Sequence, residues 1–276
     1  VYKRQRYNWA AVVLFSAVFI SSFIQSDNAG LFFNGVGLLV VISGTLGAMF
    51  LSYASADIID SLRVAKNALS SRASTPDEIV NKLIELAVDS RRRGNLAFED
   101  AENETSITFL KRALGMMVDG YKPEELRDVL YTETHYFQQR RLKHERLFRH
   151  AARLAPAFGV AGSVIGLIAM LSGIGDPEVI MRSIPIALTS TLYGIVLGNF
   201  VLTPVAENIY SKTQHEIMLQ RLATDGVIAI QHEQNPYRLV KKLESFLTPS
   251  ERSENEQSFE ELKQRIKELK LNEAKV

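Results

Sequence analysis

The sequence contains no cysteine, which excludes disulfide scaffolds, thiolate metal sites and thiol catalysis. It also lacks a strong net charge, because 32 lysines and arginines face 31 aspartates and glutamates. A chain without a basic or acidic bias gives no indication of nucleic acid or of an acidic substrate as a partner. Composition therefore supports neither a nucleic-acid-binding protein nor a cysteine-dependent enzyme.

Motifs of the common enzyme classes are also missing. There is no P-loop and no nucleophile elbow, and His215-Glu216 lacks the second histidine that a zinc-protease helix needs. His135, His144 and His150 lie in a cation-rich segment at spacings that suit no metal site. We therefore predict no catalytic residue, no metal site, no cofactor and no enzymatic activity.

Charged side chains are absent from four long stretches, residues 7–26, 28–56, 154–175 and 183–206. Each stretch is mostly apolar, and about 20 residues suffice to cross ~30 Å of hydrocarbon. The alternative, buried helices of a large soluble protein, usually gives shorter segments interrupted by charge. We predict four membrane helices, at residues 9–24, 31–53, 154–171 and 185–209. The first has no clear cleavage site and is assigned as a helix rather than a signal peptide.

The distribution of cations predicts the orientation of these helices. Lysines and arginines precede the first span and crowd residues 55–153 and the region after the fourth span, whereas the loops at 25–30 and 172–183 carry few. The positive-inside rule then places both termini and the middle segment in the cytoplasm. The predicted fold is an all-α, multi-pass membrane protein with five segments: membrane helices (1–54), a cytoplasmic helical domain (55–150), membrane helices (151–206), a cytoplasmic extension (207–249) and a charged tail (250–276).

Helical signals fill the cytoplasmic segments. Residues 57–69 have the spacing of a connector helix along the membrane face, and Thr75-Pro76 begins another, with Thr75 and Glu78 as a capping box and Gly94 as its end. A further helix is predicted at 105–118. From Pro123 a helical pattern runs into the third span, and the fourth span continues inward to about residue 231, giving two antiparallel extensions. The tail is either solvated or a short coiled coil.

Small residues and hydroxyls mark the third and fourth spans. Ala155, Gly159 and Ser163 repeat every four residues, as do Ser190, Gly194 and Gly198, which favours close helix packing. Thr189 and Thr191 lie beside the second row. These hydroxyls either make ordinary helix-to-helix or i−4 hydrogen bonds, or they line an ion pathway. Since no span contains a carboxylate, a conducting complex would need a partner to supply the acid.

Three segments resemble a known family. The third span contains APAFG followed by GSVIGL, the fourth contains TSTLYG and then TPVAE, and residues 90–102 read SRRRGNLAFEDAE. Together they resemble the MotA/PomA family of flagellar stator A subunits, within the MotA/TolQ/ExbB channel group, over residues 31–247. The charged segment at 90–102 is the feature that separates flagellar stators from TolQ and ExbB. A purely local interpretation of that segment is a helix end followed by a solvated loop.

The resemblance assigns roles to individual residues. Arg91 and Glu99 match the rotor-contacting pair, and Arg92, Asp100 and Glu102 match further charged positions of sodium-type members. The prolines that couple ion flow to movement correspond to Pro156 and Pro204. The positions where sodium-type members carry threonines are occupied by Ser163, Ser190 and Thr191, which leaves H⁺ and Na⁺ both open.

The resemblance also implies an assembly and a function. Five A subunits would form a homopentamer around two MotB/PomB-type B subunits, each with one membrane helix bearing the ion-binding aspartate. The complex would lie in lipid in the bacterial inner membrane and turn H⁺ or Na⁺ flow into torque on the rotor switch protein FliG. The alternative is a TolQ/ExbB-like subunit that energises the outer membrane, with three spans and an external N-terminus.

Overall fold

The computed structural model describes residues 13–19, 21, 25, 29–70, 75–232 and 236–246. Every regular element within these ranges is helical and none is a strand, which confirms the predicted all-α class. The chain divides into two compact units. The first comprises Val1–Arg63 with Glu145–Glu207, and the second comprises Val64–His144 with Asn208–Val276. The predicted tail at 250–276 lies outside the described residues.

The helices in chain order are α1 (Gly35–Ser52), α2 (Ser55–Ser70), α3 (Pro76–Arg93), α4 (Asn95–Glu104), α5 (Thr108–Val118), α6 (Pro123–Ser172), α7 (Pro177–Val196), α8 (Thr203–Gln231) and α9 (Pro236–Glu244). A 3-10 turn precedes α1, and a π-helix at Leu197–Leu202 joins α7 to α8. Among the described residues, three helical runs are long and apolar enough to cross a membrane. One lies within the second predicted span, and the other two contain the third and fourth. Of the first predicted span, residues 13–19 and 21 are described and helical, and its membrane crossing stays a prediction.

Helix α1 begins at a capped turn and packs along one stripe. The Asn34 side chain accepts a hydrogen bond from the Gly37 N–H at 2.9 Å, which satisfies one of the free donors at the helix start. Gly37, Val41, Thr45 and Met49 are buried at intervals of four residues, and this helix packs against α7. The second predicted span therefore packs against the fourth along this stripe.

The turn between α6 and α7 is shorter than predicted. It passes through Gly175, whose φ of +108° suits glycine, and Asp176 then accepts from the Glu178 N–H at 2.9 Å as the N-cap of α7. Pro177 occupies the first helical position, where its missing N–H costs nothing. The helix thus begins before the predicted start at residue 185, and Pro185 lies inside it.

The second unit has its own apolar core. Helices α3, α4, α5 and α9 contribute to it together with parts of α6 and α8, and its fully buried members include Leu83, Ile84, Leu110, Leu114, Leu126, Leu130, Leu222, Val227, Leu239 and Leu243. Each such side chain contributes about 1.5–3 kcal/mol by leaving water. The predicted helix starts at Pro76 and Pro123 are confirmed. The helix predicted at 105–118 is α5, which begins at Thr108 and ends at Val118.

Two local expectations in this unit are wrong. Thr75 holds the N-cap position with extended backbone, but its side chain makes no capping hydrogen bond, so the predicted capping box is absent. The segment after Gly94 is not a loop but the helix α4, because Ala97 and Phe98 are buried against the core and hold the chain there. Gly94, with φ +59°, forms the break between α3 and α4.

Candidate functional site

Helices α6 and α7 approach so closely that glycine is required at several positions. A Cβ on Gly159 would lie 2.9 Å from the carbonyl oxygen of Ser190, and one on Gly166 would lie 2.6 Å from the backbone nitrogen of Ala187. A Cβ on Gly194 would lie 2.5 Å from the carbonyl oxygen of Ala155. Real Cβ atoms do not come this near to backbone, so the predicted small-residue rows form a direct backbone-to-backbone contact.

Two of the three predicted pathway hydroxyls meet in this contact. The Oγ of Ser163 and the Oγ1 of Thr191 are 2.5 Å apart, and Ser163 donates to the carbonyl of Ala187 on α7. The Thr191 oxygen also lies 3.4 Å from the carbonyl oxygen of Gly159. A consistent arrangement has Thr191 donating to Ser163 and Ser163 donating to Ala187. Both side chains are partly exposed, so their lone pairs form a small cluster of neutral oxygens at the edge of the interface.

Ser190 faces a different neighbour. Its side chain is fully buried and donates to the carbonyl of Ile186 at 2.6 Å within its own helix. A Cβ on Gly37 would lie 2.7 Å from the Ser190 Oγ, and one on Gly162 would lie 2.6 Å from its Cβ. Ser190 thus fills the junction of α1, α6 and α7 and lies apart from the Ser163–Thr191 pair. Adjacent residues in a helix point about 100° apart, which accounts for the separation.

Both predicted coupling prolines disturb the helices near Gly198. Pro156 lies inside α6 and has no N–H to donate to the carbonyl of Ala152. That carbonyl oxygen would be 2.7 Å from a Cβ on Gly198, and the Pro156 Cδ would be 3.0 Å from it. Pro204 follows the π-helix that contains Gly198, in the first turn of α8. The wider π turn removes the clash that a proline causes with the carbonyl four residues earlier.

The charged segment predicted to contact the rotor forms the junction of α3 and α4. Arg91 and Glu99 are exposed, and within the described part of the chain neither has an ion-pair partner. Asp100 is paired with Arg93, and Glu102 is partly buried with its carboxylate against Gly115. Arg92 lies in the last turn of α3. The structure thus pairs Asp100 within the chain, whereas Arg91 and Glu99 are exposed without an ion-pair partner among the described residues.

Sequence reasoning missed Tyr193 and Arg93. The Tyr193 hydroxyl donates to the Phe32 carbonyl and accepts from the Asn34 N–H at 2.8 Å, which ties α7 to the start of α1. A lone tyrosine among small residues in an apolar span is the signal that indicates such a bond. Arg93 was recognised only as a helix-terminal cation. Its pairing with Asp100 depends on α4, which the sequence did not predict.

The apolar helices contain no group able to hold a proton or cation by charge. In the described part of the chain no cluster of histidine and carboxylate residues could hold a metal ion. Carboxylates appear only outside the charge-free stretches, at Asp27, Asp57, Asp176 and Glu207 on their borders. Glu207 binds Arg149, which also binds Glu145. What the spans offer is neutral hydroxyl and carbonyl oxygen, which can coordinate or relay an ion whose charge is balanced elsewhere.

Comparisons with known proteins agree with this geometry. A family profile described as the MotA/TolQ/ExbB proton channel family matches residues 101–222. The chemotaxis protein PomA of Vibrio alginolyticus is 30% identical over 237 residues, covering 86% of this chain and 93% of that protein. The motility protein A of Borreliella burgdorferi is 30% identical over 243 residues, covering 87% and 92%. A chain of the flagellar MotAB stator complex from Bacillus subtilis superposes with a TM-score of 0.80 at 27% identity, covering 88% of this chain and 96% of that one. The chain therefore belongs to the MotA/PomA family of flagellar stator A subunits, within the MotA/TolQ/ExbB proton channel family.

Proposed function

We propose that this protein is the ion-conducting A subunit of a bacterial flagellar stator, which turns H⁺ or Na⁺ flow across the inner membrane into torque. The observation that carries the proposal is the Ser163–Thr191 hydroxyl pair on a tightly packed interface that contains no carboxylate. Such a surface can pass an ion but cannot balance its charge. It is one half of a pathway.

The other half comes from a B subunit of the MotB/PomB type. The Bacillus subtilis relative was solved as a MotAB complex, and its fold is shared by this chain. In the proposed assembly five copies of this chain surround two B subunits, and an acidic side chain on the B subunit's membrane helix meets the hydroxyl pair. Each elementary charge that crosses the membrane releases about 2.3 kcal/mol per 100 mV of membrane potential. This free energy is available to turn the ring of five A subunits around the two B subunits.

The placement of the chain in the membrane follows from its charges. Four membrane helices and two cytoplasmic termini place the lysine- and arginine-rich segments, residues 55–153 and those after residue 207, on the cytoplasmic side. The division into membrane segments 1–54 and 151–206, cytoplasmic segments 55–150 and 207–249, and a tail at 250–276 is proposed on the same basis. No bound cofactor is needed, since the transported ion is the substrate.

Torque transfer is assigned to the junction of α3 and α4. Arg91 and Glu99 are exposed and unpaired among the described residues, so they are free to form transient ion pairs with the rotor switch protein FliG. Asp100 is paired with Arg93 and Glu102 is partly buried, so we assign both a supporting role. Arg92, in the last turn of the same helix, is assigned to the rotor interface on the family resemblance.

Deleting the gene tests the function. Cells without it and without any redundant stator should assemble filaments yet fail to swim, and a plasmid copy should restore swimming. A copy with Arg91→Glu should restore membrane insertion but little swimming, because the charge facing the rotor is reversed. Normal swimming by the deletion strain would contradict the proposal.

The TolQ/ExbB-like alternative is less well supported, because the relatives that align over most of the chain include PomA and motility protein A. The two functions predict different topologies. A stator A subunit has Val1 in the cytoplasm, whereas a TolQ-like subunit has it outside. Accessibility of a tag at Val1 to a membrane-impermeant reagent distinguishes them.

A further inference from the structure

A cationic cavity of about 500 Å³ lies in the first unit, beside the start of the charge-free part of α6. Arg146, Arg149, His150 and Arg153 line it from one face of that helix, at the spacing of successive turns. Tyr53 closes another side, with its hydroxyl 3.3 Å from the Nδ1 of His150. Among the described residues, no carboxylate lines the cavity.

Only one of its three arginines is neutralised. Arg149 binds Glu207 at 2.9 Å and also the buried Glu145, and hydrogen bonding to Glu145 is the main reason that the pKa of Arg149 is raised. Among the residues that the structure describes, Arg146 and Arg153 have no carboxylate partner. The cavity therefore retains two uncompensated guanidinium groups and an imidazole, together with neutral donors such as the Asn199 amide.

The cavity lies where the apolar surface ends. Helix α1 ends at Ser52, one residue before Tyr53, and the charge-free stretch of α6 begins directly after Arg153. Large apolar side chains next to these residues are exposed, with Leu51 at 92% and Phe200 at 55%. An exposed apolar surface can contact the acyl chains of a lipid, and cationic donors at its edge can bind the lipid headgroup.

We propose that this cavity binds the phosphate headgroup of an anionic phospholipid, in the leaflet on the side of residues 145–153. Guanidinium groups match phosphate oxygens in paired hydrogen bonds, and basic pockets between membrane helices are suited to anionic headgroups. The proposal rests on the membrane placement of the chain and not on rotor coupling. Ala152, whose carbonyl lacks its donor because of Pro156, also lines the cavity, so the lipid contacts the weakened turn of α6.

The test uses the full chain purified with its B subunit. Binding of phosphatidylglycerol is measured by native mass spectrometry from neutral detergent, with phosphatidylcholine and inorganic phosphate as the other probes. The test variant is Arg146→Gln/Arg153→Gln, and the matched control is Arg127→Gln/Arg140→Gln, which removes the same charge from exposed positions elsewhere on α6. We expect about a fivefold loss of phosphatidylglycerol affinity for each cavity arginine, roughly twentyfold for both, and little loss in the control.

Several outcomes would overturn the proposal. Equal phosphatidylglycerol affinity in the test and control variants would show that the cavity does not bind it. Competition by inorganic phosphate at similar concentration would indicate a soluble anion site, and loss of the oligomer in the test variant alone would indicate a contact between copies. If the glutamine variant does not fold, Arg146→Lys/Arg153→Lys keeps the charge but not the paired hydrogen bonds. It should weaken binding measurably, and unchanged affinity would equally refute the proposal.

Discussion

Replacing Gly194 by alanine tests the close contact between α6 and α7. A Cβ at this position would lie 2.5 Å from the carbonyl oxygen of Ala155 and 3.0 Å from the Cα atoms of Pro156 and Gly159. All three atoms belong to the backbone of α6, so no side-chain rotation can relieve the overlap. The two helices must separate for the substitution to be accommodated.

The size of the effect follows from that geometry. Ordinary contact begins at 3.4 Å, so the carbonyl of Ala155 is about 0.9 Å too close. Separating helices by ~0.5–1 Å loses about a quarter to a half of the attraction in each contact. Overpacking of this kind costs about 1–3 kcal/mol. Gly47→Ala is the matched control, because nothing lies within 4 Å of its added Cβ and alanine stabilises a helix interior by about 0.5–1 kcal/mol.

The measurement is the thermal unfolding of the purified complex with its B subunit, together with the amount of each variant in the membrane. Alanine's helix preference favours both variants equally, so Gly194→Ala should unfold at a lower temperature than Gly47→Ala, with a difference of roughly 1–3 kcal/mol in stability. Wild-type stability in Gly194→Ala would refute the backbone contact. A loss of equal size in both variants would show that the effect does not depend on the α6–α7 interface.

Three further substitutions have expected outcomes. Thr191→Val keeps the shape of the side chain but removes its hydroxyl, so ion flux into vesicles that contain the complex should fall while assembly is retained; unchanged flux would count against the hydroxyl pathway. Pro156→Ala returns a backbone donor to the helix and should slow swimming without reducing the amount of complex. The double variant Pro156→Ala/Pro204→Ala should lose less swimming speed than the sum of the losses in the two single variants. Additive losses would indicate two independent hinges. Leu83→Ala opens a cavity in the core of the second unit and should lower the free energy of unfolding by about 2–5 kcal/mol, as measured by thermal unfolding. The control Leu96→Ala, at an exposed position, should lower it by less than about 0.5 kcal/mol. Equal effects would contradict the assigned core.

Sequence reasoning identified the helices that carry strong signals. Charge-free length indicated the helical runs at the second, third and fourth spans, and the glycine rows indicated their close packing. Short helices were harder, because α4 buries only Ala97 and Phe98 and has no long apolar stripe. The pairing of Arg93 with Asp100 could not be predicted for that reason.

The arrangement of the hydroxyls depends on helix rotation, which a single sequence does not determine. Ser190 and Thr191 are adjacent, and nothing in their order shows which one faces α1 and which faces Ser163. The structure resolves this through Gly37 and Gly162, which make room for Ser190 at the three-helix junction. Thr191 is then left for the Ser163 pair. Packing against α1 thus selects the hydroxyl that is available to an ion.

The two prolines are far apart in sequence but act on one helix crossing. Pro156 leaves the Ala152 carbonyl without its helical donor, and this carbonyl lies against Gly198 on the π-helix. Pro204 follows that π-helix, whose Gly198 carbonyl accepts from the Thr203 N–H and, at 2.9 Å, from the Thr203 hydroxyl. Pro204 has no N–H either, so each helix lacks one backbone donor close to this crossing. Gly198 has no side chain that could separate the two turns, so we expect a movement of one turn to displace the other. Effects of Pro156→Ala and Pro204→Ala on swimming that are smaller together than their sum would therefore support a single joint at this crossing.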